Sequence, residues 1–326
     1  MKVCIAGLGA IGGLFAARLA AAGHEVSALA RGATLAAVRE HGLGLTSITG
    51  EHRRHRIEVA ADADALPAPD LLVIALKGHA LAADARALAP LVGPQTTVLP
   101  AMNGVPWWFL RTLDAHSAPL ASVDPHGHIA ATLPLAQTLG AVVHLTCHTT
   151  APGEVRHGFG ERLIVGAPMA GGSERVDAVA TALAGAGFTV ETSADIRREI
   201  WFKLWGNMTM NPVSALTGAA CDAILDDELV RGFMAAAMAE AAAIGARIGC
   251  PIAQSAESRM AVTRQLGAFK TSMLHDAEAG RALEIDALIG AVREIGQRAG
   301  VATPSIDTLL GLVRLMARTR GLMAPA

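Results

Sequence analysis

The chain has 326 residues, with 27 Lys+Arg against 29 Asp+Glu, a formal charge of −2. Roughly 150 residues per domain suggests about two domains, and near neutrality leaves no long-range field to draw in nucleic acid or an anionic membrane. Hydrophobic residues at 52% and charged residues at 17% suit a packed core and exclude disorder, and the absence of Tyr removes any tyrosine acid or base.

Residues 2–6 (KVCIA) read as a short buried strand. Gly7-Leu8-Gly9-Ala10-Ile11-Gly12 follows, then an Ala/Leu helix to about Ala22, and 24–31 (HEVSALAR) reads as a second strand. This is a β-α-β unit with G-x-G-x-x-G at its first turn. The start of the chain also has the basic, then apolar, then small-residue grading of a leader, but Arg18 interrupts the run and the glycines sit where a phosphate loop needs them. Apolar runs at 70–76 and 96–101 predict further parallel-type strands with a helix at about 80–91 between them. A β-like stretch at 140–166 turns at Pro152-Gly153, and a helix over 173–185 leads to a strand at 187–192. From Asp195 onward the pattern is helical, over 195–210, 226–248, 253–275, 278–299 and 304–318, with a kink or stop expected at Pro212. The expected architecture is α/β: a doubly wound N-terminal domain over 1–194 and an all-helical domain over 195–326.

Each glycine of the turn has a task. Gly7 allows the tight bend, Gly9 lets the backbone approach a pyrophosphate, and Gly12 lets helix and strand pack, with the helix N-terminus facing the phosphates. Arg31 stands at the end of the second strand, where an NAD-binding chain usually carries an acidic residue. A guanidinium there can pair with a 2′-phosphate, which favours NADPH. Lys77 and Asn103 each follow a strand, at the edge where open parallel sheets bind ligands.

The segment 199–211 (EIWFKLWGNMTMN) carries Lys203, Asn207 and Asn211 at i, i+4 and i+8. Each step drifts about 40°, so the three share one helical face. Trp201, Leu204, Trp205 and Met208 surround the lysine, and partial burial would lower its pKa and make it a better proton donor. Ser272 and Glu284 are polar residues within apolar helical segments, and Glu284 could hold the Lys203 ammonium or a ribose hydroxyl, or stand as a surface carboxylate. The paired histidines lack metal-ligand spacing, and the dispersed cysteines Cys4, Cys147, Cys221 and Cys250 form no C-x-x-C, so no metal or dithiol centre is expected. A reduced, cytoplasmic setting fits these thiols. No G-x-S-x-G elbow supports a serine hydrolase. Mean hydropathy is +0.40, yet no uninterrupted apolar run reaches about 18 residues, so no membrane span is expected.

GLGAIG at 7–12, Arg31, Lys77, Asn103-Gly104, EIWFKLWGNMTMNPVSALT at 199–217, TSMLHD at 271–276 and LEIDALIG at 283–290 occur in one order over nearly the whole chain. In this the sequence resembles the ketopantoate reductases, within the 6-phosphogluconate-dehydrogenase-like superfamily. The resemblance implies a Rossmann-type domain, NADPH, and reduction of a small 2-oxo acid, with ketopantoate as the first substrate. It implies Lys203 as proton donor, with Glu284 near the nicotinamide ribose and the lysine. Asn103 matches the nicotinamide end, and Arg31 and Lys77 match contacts to the phosphate-bearing part of the cofactor. Asn207, Asn211 and Ser272 match substrate-binding positions. Apart from the resemblance, apolar stripes of the helical domain such as 229–248 could be buried within it or across a homodimer. Cys221 stands where a substrate-side asparagine is usual, and Pro106-Trp107-Trp108 is bulkier than the pattern. A reductase of a bulkier 2-oxo acid or an imine is therefore the second expectation, and a non-catalytic NADPH-binding regulator the third.

Overall fold

The computed structural model describes residues 1–113, 117–169, 173–265 and 267–324. By compactness the chain divides into two units. One comprises Met1–Met102, Trp107–Thr112 and His126–Glu199, and the other Asn103–Pro106, Leu113–Pro125 and Ile200–Ala326.

In the first unit the chain runs β1 (Lys2–Ala6), α1 (Ala10–Ala21), β2 (Glu25–Leu29), α2 (Gly32–His41), β3 (Leu43–Thr46), β4 (His52–His55), β5 (Glu58–Ala60), β6 (Leu71–Ile74), α3 (Gly78–Asp84) and β7 (Thr97–Pro100). It continues through α4 (His128–Thr132), β8 (Gly140–Ala151), β9 (Glu154–Gly166), α5 (Ser173–Gly185) and β10 (Thr189–Thr192). Strands β5-β2-β1-β6-β7 form one sheet, parallel throughout. A sheet buried on both faces wants continuous apolar strands, and LLVI of β6 and TVLP of β7 are buried at every position. The order is that of a doubly wound α/β fold, as expected from the sequence.

A second sheet runs β10-β9-β3-β4, with β8 antiparallel on the other edge of β9 around the Pro152-Gly153 turn. The short strands β3, β4 and β5 are not expected from the sequence pattern. HRRH of β4 carries no apolar alternation and three of its four residues are exposed, so only its pairing with β3 makes it a strand. Helix α1 lies between the two sheets. Phe15 meets Phe188 at 4.8 Å between ring centroids, and a Cβ on Gly13 would come within 2.6 Å of Val155, so a side chain there would push α1 off β9. The helix expected over 80–91 ends as α-helix at Asp84 and continues as 3₁₀ turns over Ala85–Leu91, which contain Pro90. Proline lacks the N–H that an α-turn requires.

The second unit contains no strand among its described residues. Its helices are most of α6 (Ile196–Thr217), then α7 (Cys221–Asp226), α8 (Glu228–Arg247), α9 (Ala256–Arg264), α10 (Ser272–Glu278), α11 (Ala291–Arg298) and α12 (Pro304–Thr319). Helix α6 does not stop at Pro212 but runs five residues further. The Met208 carbonyl loses its donor there, yet Val213, Ser214 and Ala215 are buried. Ser214 Oγ donates to the Asn211 carbonyl at 2.9 Å and Thr217 Oγ1 to that of Val213 at 2.8 Å. Burial and hydroxyl bonds hold a helix that proline alone would end.

The helix expected over 253–275 is two, α9 and α10, capped by Ser255 and Thr271. That expected over 278–299 begins only at a π-helical turn, Asp286–Gly290, which runs into α11. Glu284 therefore precedes the helix rather than lying in it. Helix α8 is long and apolar enough to cross a membrane by length and composition alone. It buries a stripe of Met234, Ala237, Met238, Ala241, Ile244 and Gly245 in the unit, and Trp205 Nε1 of α6 donates to its Met238 carbonyl at 2.7 Å.

Candidate active site

The turn from β1 into α1 is built by its glycines. Gly7 has φ +101°, and a Cβ there would meet Leu76 at 2.8 Å and the Ala75 carbonyl at 3.1 Å. A Cβ on Gly12 would lie 1.9 Å from the Gly7 carbonyl, so only glycine lets α1 start so close to the turn. Gly9 is the N-cap, extended and with no side-chain cap, and a Cβ there would meet nothing within 4 Å. The first turn of α1, Ala10, Ile11 and Gly12, carries no acidic residue. Open space, uncapped N–H groups and the positive helix end together fit a diphosphate. Leu8, within the turn, is buried.

Arg31 is the N-cap of α2, just past β2. Its guanidinium is 68% exposed and pairs with Asp84 of α3 at 2.9 Å. Lys77 follows β6 directly after the residues that touch Gly7, and is the N-cap of α3 with extended backbone.

Three expected residues converge in the helical unit. Lys203 Nζ of α6 donates to Asn103 Oδ1 at 2.9 Å. Burial of the ammonium pushes the Lys203 pKa down to about 8, with the Glu284 carboxylate pulling it back up. Asn103 is held by its neighbours. Gly104 has φ +88° and lies so close to the π-helical turn that a Cβ would meet the Ala287 carbonyl at 2.6 Å, and the Val105 N–H donates to that same carbonyl at 3.0 Å. The segment bearing Asn103 is thus tied to the chain three residues beyond Glu284. An ammonium with a lowered pKa, an amide oxygen that accepts its hydrogen bond and a nearby carboxylate thus come together.

Asn207 and Asn211 lie on the same helix one and two turns beyond Lys203, Asn207 half-buried and Asn211 buried. Ser272 is exposed in the first turn of α10. Its neighbour Thr271 hydrogen-bonds Ser214 of α6, which brings α10 against the turn that follows Asn211. Trp107 and Trp108 are 3% and 0% exposed. Trp108 packs against Gly140 of β8, where a Cβ would sit 3.2 Å from its ring, so these indoles are core. Cys221 is likewise buried, and burial pushes its thiol up to about 11. Among the described residues no group of three or more His, Cys, Asp or Glu could hold a metal ion.

One residue packed on the helix that carries Lys203 had no signal in the sequence. Arg259 of α9 lays its guanidinium over the Phe202 ring of α6, 5.6 Å from the centroid, and against Gly206, where a Cβ would lie 3.2 Å from both Nε and Nη2. An arginine on a largely polar helix reads as solvated, and only the packing of α9 on α6 reveals otherwise.

A parallel doubly wound unit with a diphosphate-sized glycine turn, and a helical unit with an enclosed lysine, define the class: an oxidoreductase acting on a keto or hydroxyl group. The family model for ketopantoate reductase PanE/ApbA matches residues 3–169, and that for its C-terminal domain matches 195–317. A 2-dehydropantoate 2-reductase from Mesorhizobium japonicum is 42% identical over 98% of this chain and 99% of its own. The crystal structure of a candidate ketopantoate reductase from Ralstonia solanacearum is 56% identical, covers 98% of this chain and 99% of that one, and superposes with a TM-score of 0.95. D-mandelate dehydrogenase, in a ternary structure with NADH and anilino(oxo)acetate, shares the fold at 21% identity and a TM-score of 0.86, covering 99% of this chain and 100% of that one. The chain belongs to the ketopantoate reductase family.

Proposed function

We propose that this protein reduces a small 2-oxo acid, 2-dehydropantoate in the first place, using NADPH and Lys203 as the proton donor. The observation that carries the reading is the enclosed Lys203 ammonium, bonded to Asn103 and lowered to about 8. Relatives named 2-dehydropantoate 2-reductase support the substrate. NADPH supplies a hydride to the keto carbon when bound. Gly7, Leu8, Gly9, Ala10, Ile11 and Gly12 would hold its diphosphate, with Lys77 beside them. Arg31 would take the 2′-phosphate. Its exposed pair with Asp84 is worth about 0–1 kcal/mol, so a more highly charged phosphate displaces the carboxylate.

Lys203 meets the negative charge that builds on the keto oxygen and transfers its proton there. A pKa near 8 leaves it protonated at neutral pH yet able to give the proton up. Asn103 aims the ammonium, and Glu284 offsets the cost of enclosing a charge. Asn207, Asn211 and Ser272 bind substrate hydroxyl and carboxylate oxygens. The proposal includes a cytoplasmic homodimer, whose assembly state light scattering will read. The deciding experiment follows NADPH oxidation by absorbance with 2-dehydropantoate and a panel of other 2-oxo acids. Turnover of 2-dehydropantoate above the panel is expected. Preference for a larger oxo acid or an imine would replace the substrate, and NADPH binding without turnover of any of them would sink the reading.

A further inference from the structure

The helix that carries Lys203 has a second cation against it, contributed by α9. Arg259 is half-buried; its Nε is shielded from water and has no hydrogen-bond partner. Among the described residues no carboxylate pairs with the guanidinium, whereas Arg264 of the same helix pairs with Asp226. Burial alone lowers the Arg259 pKa, with no neighbouring anion to offset it. One face of the guanidinium is covered by Phe202, and Gly206, by having no side chain, lets it lie on the α6 backbone. Gly206 is three residues beyond Lys203, and Cβ positions so spaced lie about 5–6 Å apart. A stacked, partly dehydrated guanidinium without an anion, one helical turn from a proton-donating lysine, is a receptor for a planar carboxylate.

We propose that Arg259 is a substrate-binding residue, which takes the carboxylate of a 2-oxo acid while Lys203 takes its keto oxygen. This rests on the reading of Lys203 given above. Keto oxygen and carboxylate sit on adjacent carbons of such a substrate, so a lysine and a guanidinium that lie against neighbouring positions of α6, Lys203 and Gly206, can serve both. The two cations have different tasks. The carboxylate keeps its charge throughout the reaction, so Arg259 binds ground state and transition state alike, whereas Lys203 acts on charge that appears only in the transition state. The site therefore selects anionic oxo compounds over neutral ones of the same shape.

The test compares wild type, R259Q and R259K in steady-state reduction of 2-dehydropantoate and of its neutral methyl ester, with NADPH affinity and Tm measured alongside. R259Q is expected to raise KM for the acid by about 10²-fold, the scale of a lost charge-assisted hydrogen bond. Its kcat, its KM for the ester and its NADPH affinity should change by less than about threefold, so that the preference for acid over ester collapses. R259K keeps the charge and the packed stem but not the fork, and should raise KM for the acid about tenfold. An unchanged preference in R259Q, or an equal loss on acid and ester, would reduce Arg259 to a packing residue. Should R259Q fail to fold, an unchanged KM for the acid in R259K overturns the proposal. Wild type inactive on every 2-oxo acid would instead remove the reading of Lys203, and Arg259 with it.

Discussion

The glycine turn of the first unit and the Lys203 centre of the second are built on opposite principles. The turn works through what is missing: a Cβ on Gly12 would lie 1.9 Å from the Gly7 carbonyl, and one on Gly9 would face open space. Its donors are backbone N–H groups, identical in any sequence that can make the bend. The lysine centre works through what is present. Lys203, Asn103 and Glu284 lie far apart in the chain, and only the fold brings them together. A backbone site is encoded by a local pattern, and a side-chain site by a convergence that no local pattern contains.

The contrast can be broken most sharply at Lys203. Lys203→Ala should lower kcat by about 10²- to 10⁴-fold, the range for a lost general acid, and leave NADPH affinity intact. Near-normal turnover would place the proton elsewhere. At the other region, Arg31→Asp should shift the NADPH-to-NADH preference by roughly 10- to 10²-fold toward NADH, measured as the ratio of kcat/KM values. An unchanged ratio would mean that the 2′-phosphate is held by another group.

The pH profile sharpens the comparison further. In the proposed mechanism reduction uses the protonated ammonium, and the Lys203 pKa is lowered to about 8. The rate should be level below that value and fall about tenfold per unit above it as the proton is lost. The residual rate of Lys203→Ala should lack this fall, and an identical fall in the variant would assign the titration to another group. The smallest effect is expected at Gly104→Ala. Its φ of +88° and the 2.6 Å approach to the Ala287 carbonyl imply strain of about 1–3 kcal/mol, read as a lower Tm and a few-fold loss of kcat as Asn103 shifts. An unchanged Tm would show that the segment gives way freely.

Much of the first region is legible in the amino-acid pattern. Buried parallel strands are continuous apolar runs, and KVCIA, DLLVIAL and TTVLPA declare themselves, as does a glycine spacing that lies between strand and helix. Strands β3 to β5 are not legible, because HRRH has no apolar face and exists as a strand through pairing with β3. In the helical unit the sharing of one face by Lys203, Asn207 and Asn211 follows from helical periodicity alone. The continuation of α6 through Pro212 does not, since proline's local rule is to stop, and the buried flank and the hydroxyls of Ser214 and Thr217 override it.

By itself, then, the sequence determined the α/β class, the phosphate-sized turn and the axis on which the lysine and asparagines stand, because each depends on residues within a few turns of one another. Tertiary structure decided that Glu284 precedes its helix, that Trp107 and Trp108 serve the core, that Asn103 receives the lysine's hydrogen bond and that Arg259 lies on α6. Each of these is a contact between distant segments, whose energy comes from burial and charge in a particular packing and leaves no periodic trace in the chain.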